Sequence, residues 1–283
     1  MRAFIGSAAH GLARTYPGRL IRAYMASQAG NYAAGLAFTA FLSMFPLIVG
    51  LLAILGLVTS DPAVRDQFLN GALSNFFPSD ASTQKTLAAA LDGVRHNSGL
   101  LGAIGIAGFL WGGSNLFATM EYALGRMLGS RQRDFLRQRA MALVMTLLFA
   151  LSVALSIGLN SSLALLGSVP HVQPLLGLLV WMVFMAAVYR IVPNRTYRLR
   201  RMWPGILLAA ALMEALSLLW TPFAALSHGF NTYGTALALF FLLASWLYFL
   251  SQFILLGAVA IRMHAGAPEV PGLLGTPQPT MVL

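Results

Sequence analysis

Six long apolar runs constrain the fold of this chain more than any other feature. A helix needs about 20 apolar residues to cross the hydrocarbon core of a bilayer. Runs of that length occupy approximately residues 36–58, 99–120, 140–167, 172–192, 204–226 and 234–261. The chain is 58% hydrophobic and only 9% charged, whereas about a quarter of the residues of an average soluble protein are charged. We therefore predict an all-α, polytopic membrane bundle of about six transmembrane helices.

The basic residues are distributed unevenly between the two ends of these runs. With the exceptions of Arg65, Lys85 and Arg95, every Lys and Arg lies before the first run, within or beside the second or fourth connection, or after the sixth run. Cytoplasmic loops of membrane proteins carry an excess of Lys and Arg. We therefore expect a multi-pass protein of the cell (inner) membrane with both termini in the cytoplasm. The net charge of +10 does not indicate a nucleic-acid partner, because the basic residues are not gathered on one folded face.

Three regions outside the spans have their own character. Residues 1–35 form an amphipathic N-terminal region, interrupted at Tyr16-Pro17-Gly18; it either lies on anionic lipid or packs against the cytoplasmic loops. The connection 59–98 is expected to form two amphipathic helices that cap the outer end of the bundle. Residues 262–283 are rich in Pro and Gly, which is typical of a disordered tail.

Glu214 is the most informative single residue, because it falls near the middle of the fifth run. A charge at the centre of a bilayer costs roughly 2.5–3.5 kcal/mol, so such a group faces the bundle interior, is paired, or is protonated. One interpretation is a proton or substrate site. The alternative is a neutral, hydrogen-bonded Glu that joins helices.

Polar side chains on two other spans extend this candidate site. Ser156 and Asn160 share one face of the third span, and Tyr248 and Gln252 share one face of the sixth. Polar groups in lipid need partners or water. A polar cavity between spans three, five and six would place them with Glu214 as a substrate-binding site. Ordinary hydrogen bonds between helices would satisfy them equally.

Small residues and prolines suggest how the spans pack. Gly108 and Gly112 form a GxxxG pair on the second span, which lets two helix backbones approach closely. Pro46 and Pro222 each remove a backbone hydrogen bond from a span and are expected to kink it. Such kinks serve as hinges in some proteins and are static in others.

The sequence offers no apparatus for enzyme chemistry. It contains no cysteine and only five scattered histidines, so disulfides, thiolate catalysis and clustered metal ligands are not expected. No motif for a catalytic triad or a bound cofactor is present. We predict no catalytic residue, no metal and no cofactor.

Several short motifs appear in an order typical of one family. They are AAGLAF at 33–38, LSMFPL at 42–47, YRIVPN at 189–194, WPG at 203–205, YG at 233–234, WLY at 246–248 and LLGA at 255–258. Together they resemble the YihY/BrkB family over about residues 24–261. The chain departs from the family at Val259, where members usually have Glu, and at Gly125, where they often have Asn.

The resemblance implies an inner-membrane protein with about six spans. Some members are called virulence or serum-resistance factors, others carry an older ribonuclease label, and movement of lipids or solutes has been suggested for relatives. The hypothesis we favour is a transporter or permease, with lipid translocation as one form of it and a small molecule or lipid as cargo. The alternative is a structural protein that supports the cell envelope. Ribonuclease activity is disfavoured because the cytoplasmic loops offer no base, acid or metal cage. A homo-oligomer is left open.

Overall fold

The computed structural model describes residues 15–58, 98–165, 172–194, 197–225 and 232–266. All secondary structure within these ranges is helical, without a strand. The helices are α1 (Tyr16–Ala26), α2 (Ala29–Val58), α3 (Ser98–Leu128), α4 (Phe135–Leu165), α5 (Val172–Ile191), α6 (Leu199–Ala225) and α7 (Thr232–His264). The predicted all-α fold is confirmed, and each predicted span overlaps one of the helices α2 to α7.

Several of these helices are long and apolar enough to cross a bilayer. Within the described residues, three stretches have the required length and hydropathy: Phe135–Ser152 of α4, Leu199–Leu219 of α6 and Phe240–His264 of α7. Gly177–Ile191 of α5 is apolar but shorter. Helices α2 and α3, with 30 and 31 residues, also exceed the roughly 20 residues that a crossing requires. The chain is thus a membrane helical bundle.

The six long helices follow one another around the bundle in chain order. Each of α2 to α6 packs against the next helix, and α7 closes the circle by packing against both α6 and α2. Helix α7 also contacts α3, so the last span holds the first two spans to the fifth. The main neighbours of α4 are therefore α3 and α5.

Helix α1 lies at one end of this circle, against α2 and α7. It begins at Tyr16 with Pro17 in its first turn, a position where proline is favoured because the missing N–H has no partner in any case. The interruption expected at Tyr16-Pro17-Gly18 coincides with the start of this helix, and the segment before it lies outside the described residues. Leu20 and Ala23 are buried, so the apolar face of α1 packs on the bundle. Gln28, in the left-handed region at φ 53°, reverses the chain into α2.

Among the residues whose side chains are described, the buried core lies at the end of the bundle that carries most of the arginines, which we call the basic end. It is formed by the C-terminal parts of α3, α5 and α7 and the N-terminal parts of α2, α4 and α6. Its most deeply buried side chains include several methionines: Met127, Met145, Met185, Met202 and Met213. Methionine is flexible and polarisable and fills irregular gaps between helices. The basic end is therefore a packed body rather than a set of loops.

Some predictions fall outside the described residues. These are the first part of the amphipathic N-terminal region (residues 1–14), the outer loop at 59–97 and the tail beyond residue 266. The two amphipathic helices expected in the outer loop and the disorder expected in the tail remain predictions.

Candidate functional site

Glu214 lies in α6, inside the apolar stretch Leu199–Leu219, and its side chain is partly buried. The carboxylate is directed towards α5, because a methyl group added to Gly177 would lie 2.5 and 2.8 Å from its two oxygens. The Glu214 carboxylate has no hydrogen bond or ion pair with another described residue. Gly177 leaves open the volume that a larger side chain would fill, and the carboxylate of Glu214 occupies it.

Tyr248 and Gln252 lie at a different helix contact. Both side chains extend from α7 towards Gly30 at the start of α2, where a methyl group would lie 3.9 Å from the Tyr248 hydroxyl and 3.9 Å from the Gln252 amide nitrogen. Tyr24 of α1 is close by, and its buried hydroxyl has no hydrogen-bond partner among the described residues. Burial, followed by the neighbouring Tyr248 phenol, raises the pKa of Tyr24. A small polar group therefore lies where α1, α2 and α7 meet.

Three of the five predicted polar residues have described side chains, and these lie at two different helix contacts. Glu214 faces α5, whereas Tyr248 and Gln252 face α2. Ser156 and Asn160 belong to α4, and their side chains lie outside the described part of the chain. The cavity expected between spans three, five and six therefore remains a prediction. The candidate site in the described structure is Glu214 at the α5–α6 contact.

The GxxxG pair faces the proline of the first span. A methyl group on Gly112 would lie 2.9 Å from Pro46 Cγ and 3.2 Å from the Ser43 carbonyl oxygen, and one on Gly108 would lie 3.3 Å from Pro46 Cβ. The two glycines thus make room for the proline ring where α2 and α3 cross. Helix α2 continues through Pro46. Pro222 lies in α6, with its side chain outside the described ones.

A buried ion pair lies at the basic end and was not predicted from the sequence. The guanidinium of Arg133 lies 3.2 Å from the carboxylate of Glu121, whose side chain is 1% exposed. The same guanidinium donates to the carbonyl oxygens of Ile191 at 2.9 Å, of Val192, and of Pro193 at 3.0 Å. These carbonyls belong to the last residue of α5 and the two residues after it, where a helix leaves its last carbonyl groups unpaired and its dipole is negative. Arg133 therefore joins α3, the α3–α4 connection and α5.

The two oxygens of the Glu121 carboxylate differ in their hydrogen bonding. Its Oε1 also accepts a hydrogen bond from the backbone N–H of Arg133, at 3.2 Å, whereas its Oε2 is buried without a partner among the described residues. The sequence contained a signal for this site. Only eight residues of the chain are acidic, and Glu121 is one of them, directly after the predicted second span.

Two further arginines connect helices at the basic end. Arg262 is 5% exposed and donates to the Met127 carbonyl oxygen near the end of α3, at 3.3 Å. Arg139 of α4 donates to the Ser114 hydroxyl of α3, at 2.9 Å. In the sequence, these arginines served only to predict which ends of the spans face the cytoplasm. The structure shows that they also hold the helices together.

The contact between α6 and α7 brings two glycine backbones close together. A methyl group on Gly205 would overlap the carbonyl oxygen of Gly257, and one on Gly257 would lie 2.8 Å from the carbonyl oxygen of Gly205. The fully buried Tyr189 of α5 donates its hydroxyl to the Ile254 carbonyl oxygen at 2.7 Å. Helices α5, α6 and α7 therefore pack as one unit beside Glu214.

The chemistry available at Glu214 is that of one carboxyl group in apolar surroundings. Such a group takes up or releases a proton, or holds a cationic or hydroxyl group of a cargo. Across the part of the chain that the structure describes, no three His, Asp or Glu side chains come together as a metal-binding group.

The fold and these contacts define a polytopic helical membrane protein. Comparison with protein families places it more narrowly: the family described as Virulence factor BrkB matches residues 20–270. The chain belongs to this family, and the resemblance expected from the sequence motifs is confirmed. A UPF0761 membrane protein of Pseudomonas paraeruginosa (strain DSM 24068 / PA7) is 24% identical over 253 residues, which are 86% of this chain and 61% of that protein. The chain thus spans about three fifths of its relative's length. No solved structure matches it.

Proposed function

We propose that this protein is a transporter or permease of the cell (inner) membrane, with Glu214 as its intramembrane polar site. The proposal rests on one observation: a partly buried carboxylate lies at the α5–α6 contact, inside an apolar stretch long enough to cross the bilayer. A Glu with a purely structural role is expected to hydrogen-bond to a neighbouring helix. Here the residue opposite is Gly177, which has no side chain.

The cargo is a small molecule or a lipid, and it moves without covalent chemistry. We propose that the protein is not an enzyme, has no nucleic-acid partner, and keeps both termini and the basic end in the cytoplasm. The arginine-rich connections support this orientation, because positive loops are retained on the cytoplasmic side.

Flux through reconstituted liposomes tests the proposal. The full chain is incorporated into vesicles, and movement of labelled phospholipids and of small solutes is measured for the wild type and for Glu214→Gln. The control is Ser217→Ala, which alters an exposed polar residue on the same helix. We expect Glu214→Gln to lower flux about fivefold or more, because a hydrogen bond to a charged group contributes about 1 kcal/mol more than one to a neutral group, and Ser217→Ala to leave it unchanged. Wild-type flux in Glu214→Gln would remove the role of this residue, and absence of flux for every cargo would contradict transport.

A second function is favoured by the packing of the basic end. The Arg133 hydrogen bonds join α3 and the end of α5 to the α3–α4 connection, which would suit a protein that supports the cell envelope by holding a partner. Crosslinking from residues 62–95 tests this alternative. A stoichiometric partner together with no flux would favour the structural role, and a crosslink only to a second copy would show a homo-oligomer.

A further inference from the structure

A pocket opens at the basic end between the last turns of α5 and the start of α6. It is lined by Ala186, Ala187, Arg190, Ile191, Arg198 and Leu199, and its volume is about 480 Å³. The side chains of Arg190, Arg198 and Leu199 are exposed, so the pocket opens onto the surface of the bundle. None of its residues belongs to the candidate site at Glu214.

The rim of the pocket carries two positive charges. Neither the Arg190 side chain nor the Arg198 side chain forms a hydrogen bond or ion pair with another described residue. Helix α6 begins at Leu199, directly after Arg198, so the positive end of its dipole lies beside Arg198. No acidic residue in the first turn of α6 offsets this positive charge. Two guanidinium groups next to a helix N-terminus favour a phosphate group at this rim.

The remainder of the pocket is apolar and lies at a membrane boundary. Ala186, Ala187, Ile191 and Leu199 line it, and the apolar stretch of α5 ends at Ile191 while that of α6 begins at Leu199. Trp203, one turn into α6, is 56% exposed, and Trp is enriched where headgroups meet hydrocarbon. The pocket therefore places a phosphate at headgroup depth and an apolar chain below it.

We propose that this pocket binds an anionic phospholipid, with its phosphate between Arg190 and Arg198 and the start of its acyl chain against Ala186 and Ala187. Basic pockets between membrane helices on the cytoplasmic side recognise anionic headgroups through the same chemistry. The inference stands apart from the transport proposal, because the bound lipid need not be a cargo and Glu214 takes no part in holding it.

Lipid binding to the purified full chain tests the assignment. Native mass spectrometry from detergent measures the affinity for phosphatidylglycerol and for zwitterionic phosphatidylcholine with the same acyl chains. We expect the wild type to prefer phosphatidylglycerol by about tenfold or more. The double variant Arg190→Gln/Arg198→Gln should lose this preference. The control Arg131→Gln/Arg137→Gln removes the same charge from two exposed arginines elsewhere at the basic end and should keep it.

A third variant and a competitor separate a lipid from a free phosphate. Ala187→Phe fills the apolar part and leaves both arginines, so it should weaken binding of phosphatidylglycerol about as much as the double variant. Glycerol phosphate, which has the phosphate without acyl chains, should compete only weakly. Equal affinity of the wild type for both lipids would overturn the proposal. So would equal loss in the control, unchanged binding to Ala187→Phe, or full displacement by millimolar glycerol phosphate, which would indicate a site for free phosphate.

Discussion

Replacing Arg133 by Ala is expected to destabilise the basic end more than any other single arginine change. The variant leaves the Glu121 carboxylate buried at 1% exposure without its ion-pair partner. It also removes the donor for the carbonyl groups of Ile191, Val192 and Pro193. Removing one partner of a buried ion pair costs about 3–5 kcal/mol. Water can replace part of the carbonyl bonding, because the Arg133 side chain is 17% exposed, so we expect the total to stay within that range.

A second substitution distinguishes a buried charge from a simple loss of contacts. Glu121→Gln alone should cost about 1 kcal/mol, because hydrogen bonds to a charged group are stronger than those to a neutral one by about that amount. In the Arg133→Ala background, the same change removes the unpaired charge. The double variant should therefore be more stable than Arg133→Ala alone.

Reversible unfolding in mixed micelles, followed by tryptophan fluorescence, measures these free energies. Arg131→Ala is the matched control, since it removes an exposed arginine two residues away and should change stability by less than about 0.5 kcal/mol. The reasoning is refuted if Arg133→Ala is as stable as Arg131→Ala. It is refuted equally if Glu121→Gln adds its own cost to Arg133→Ala instead of relieving it.

Two further predictions concern packing and the candidate site. Gly205→Ala should destabilise the protein by about 1–3 kcal/mol, the usual cost of overpacking, because the added methyl group meets the Gly257 backbone. The control is Gly35→Ala, whose added methyl group meets nothing within 4 Å. It should be close to neutral in the same unfolding assay. Glu214→Gln should fold with wild-type stability to within about 1 kcal/mol, since no described residue bonds to the carboxylate, while transport in liposomes falls and Ser217→Ala does not change it. A large stability loss in Glu214→Gln would indicate a structural role instead.

The helices themselves were predictable from sequence, because the length and hydropathy of an apolar run largely decide whether it becomes a membrane helix. The neighbours of each helix were not. The spacing of Ser156 and Asn160 shows that they share a helix face but not which helix that face meets. Among the described residues the main neighbours of α4 are α3 and α5, and the cavity expected between spans three, five and six remains a prediction.

The Arg133 site could be foreseen only in part. The presence of Glu121 at the end of a span was visible, but three of the acceptors of Arg133 are backbone carbonyls 58 to 60 residues away. Carbonyl groups carry no sequence signal, since every residue has one. The start of α1 at Tyr16 coincides with the break that Pro17 and Gly18 suggest, because proline is favoured in the first turn of a helix.

The central claim is that this bundle crosses the membrane with its basic end in the cytoplasm, and single-cysteine labelling tests it most directly. The chain has no cysteine, so Arg131→Cys, Arg198→Cys and, in the predicted outer loop, Ser79→Cys each introduce one reactive thiol. A membrane-impermeant maleimide applied to intact cells should label Ser79→Cys and should reach the other two positions only after the membrane is opened. Labelling of residue 131 or 198 in intact cells would contradict the claim.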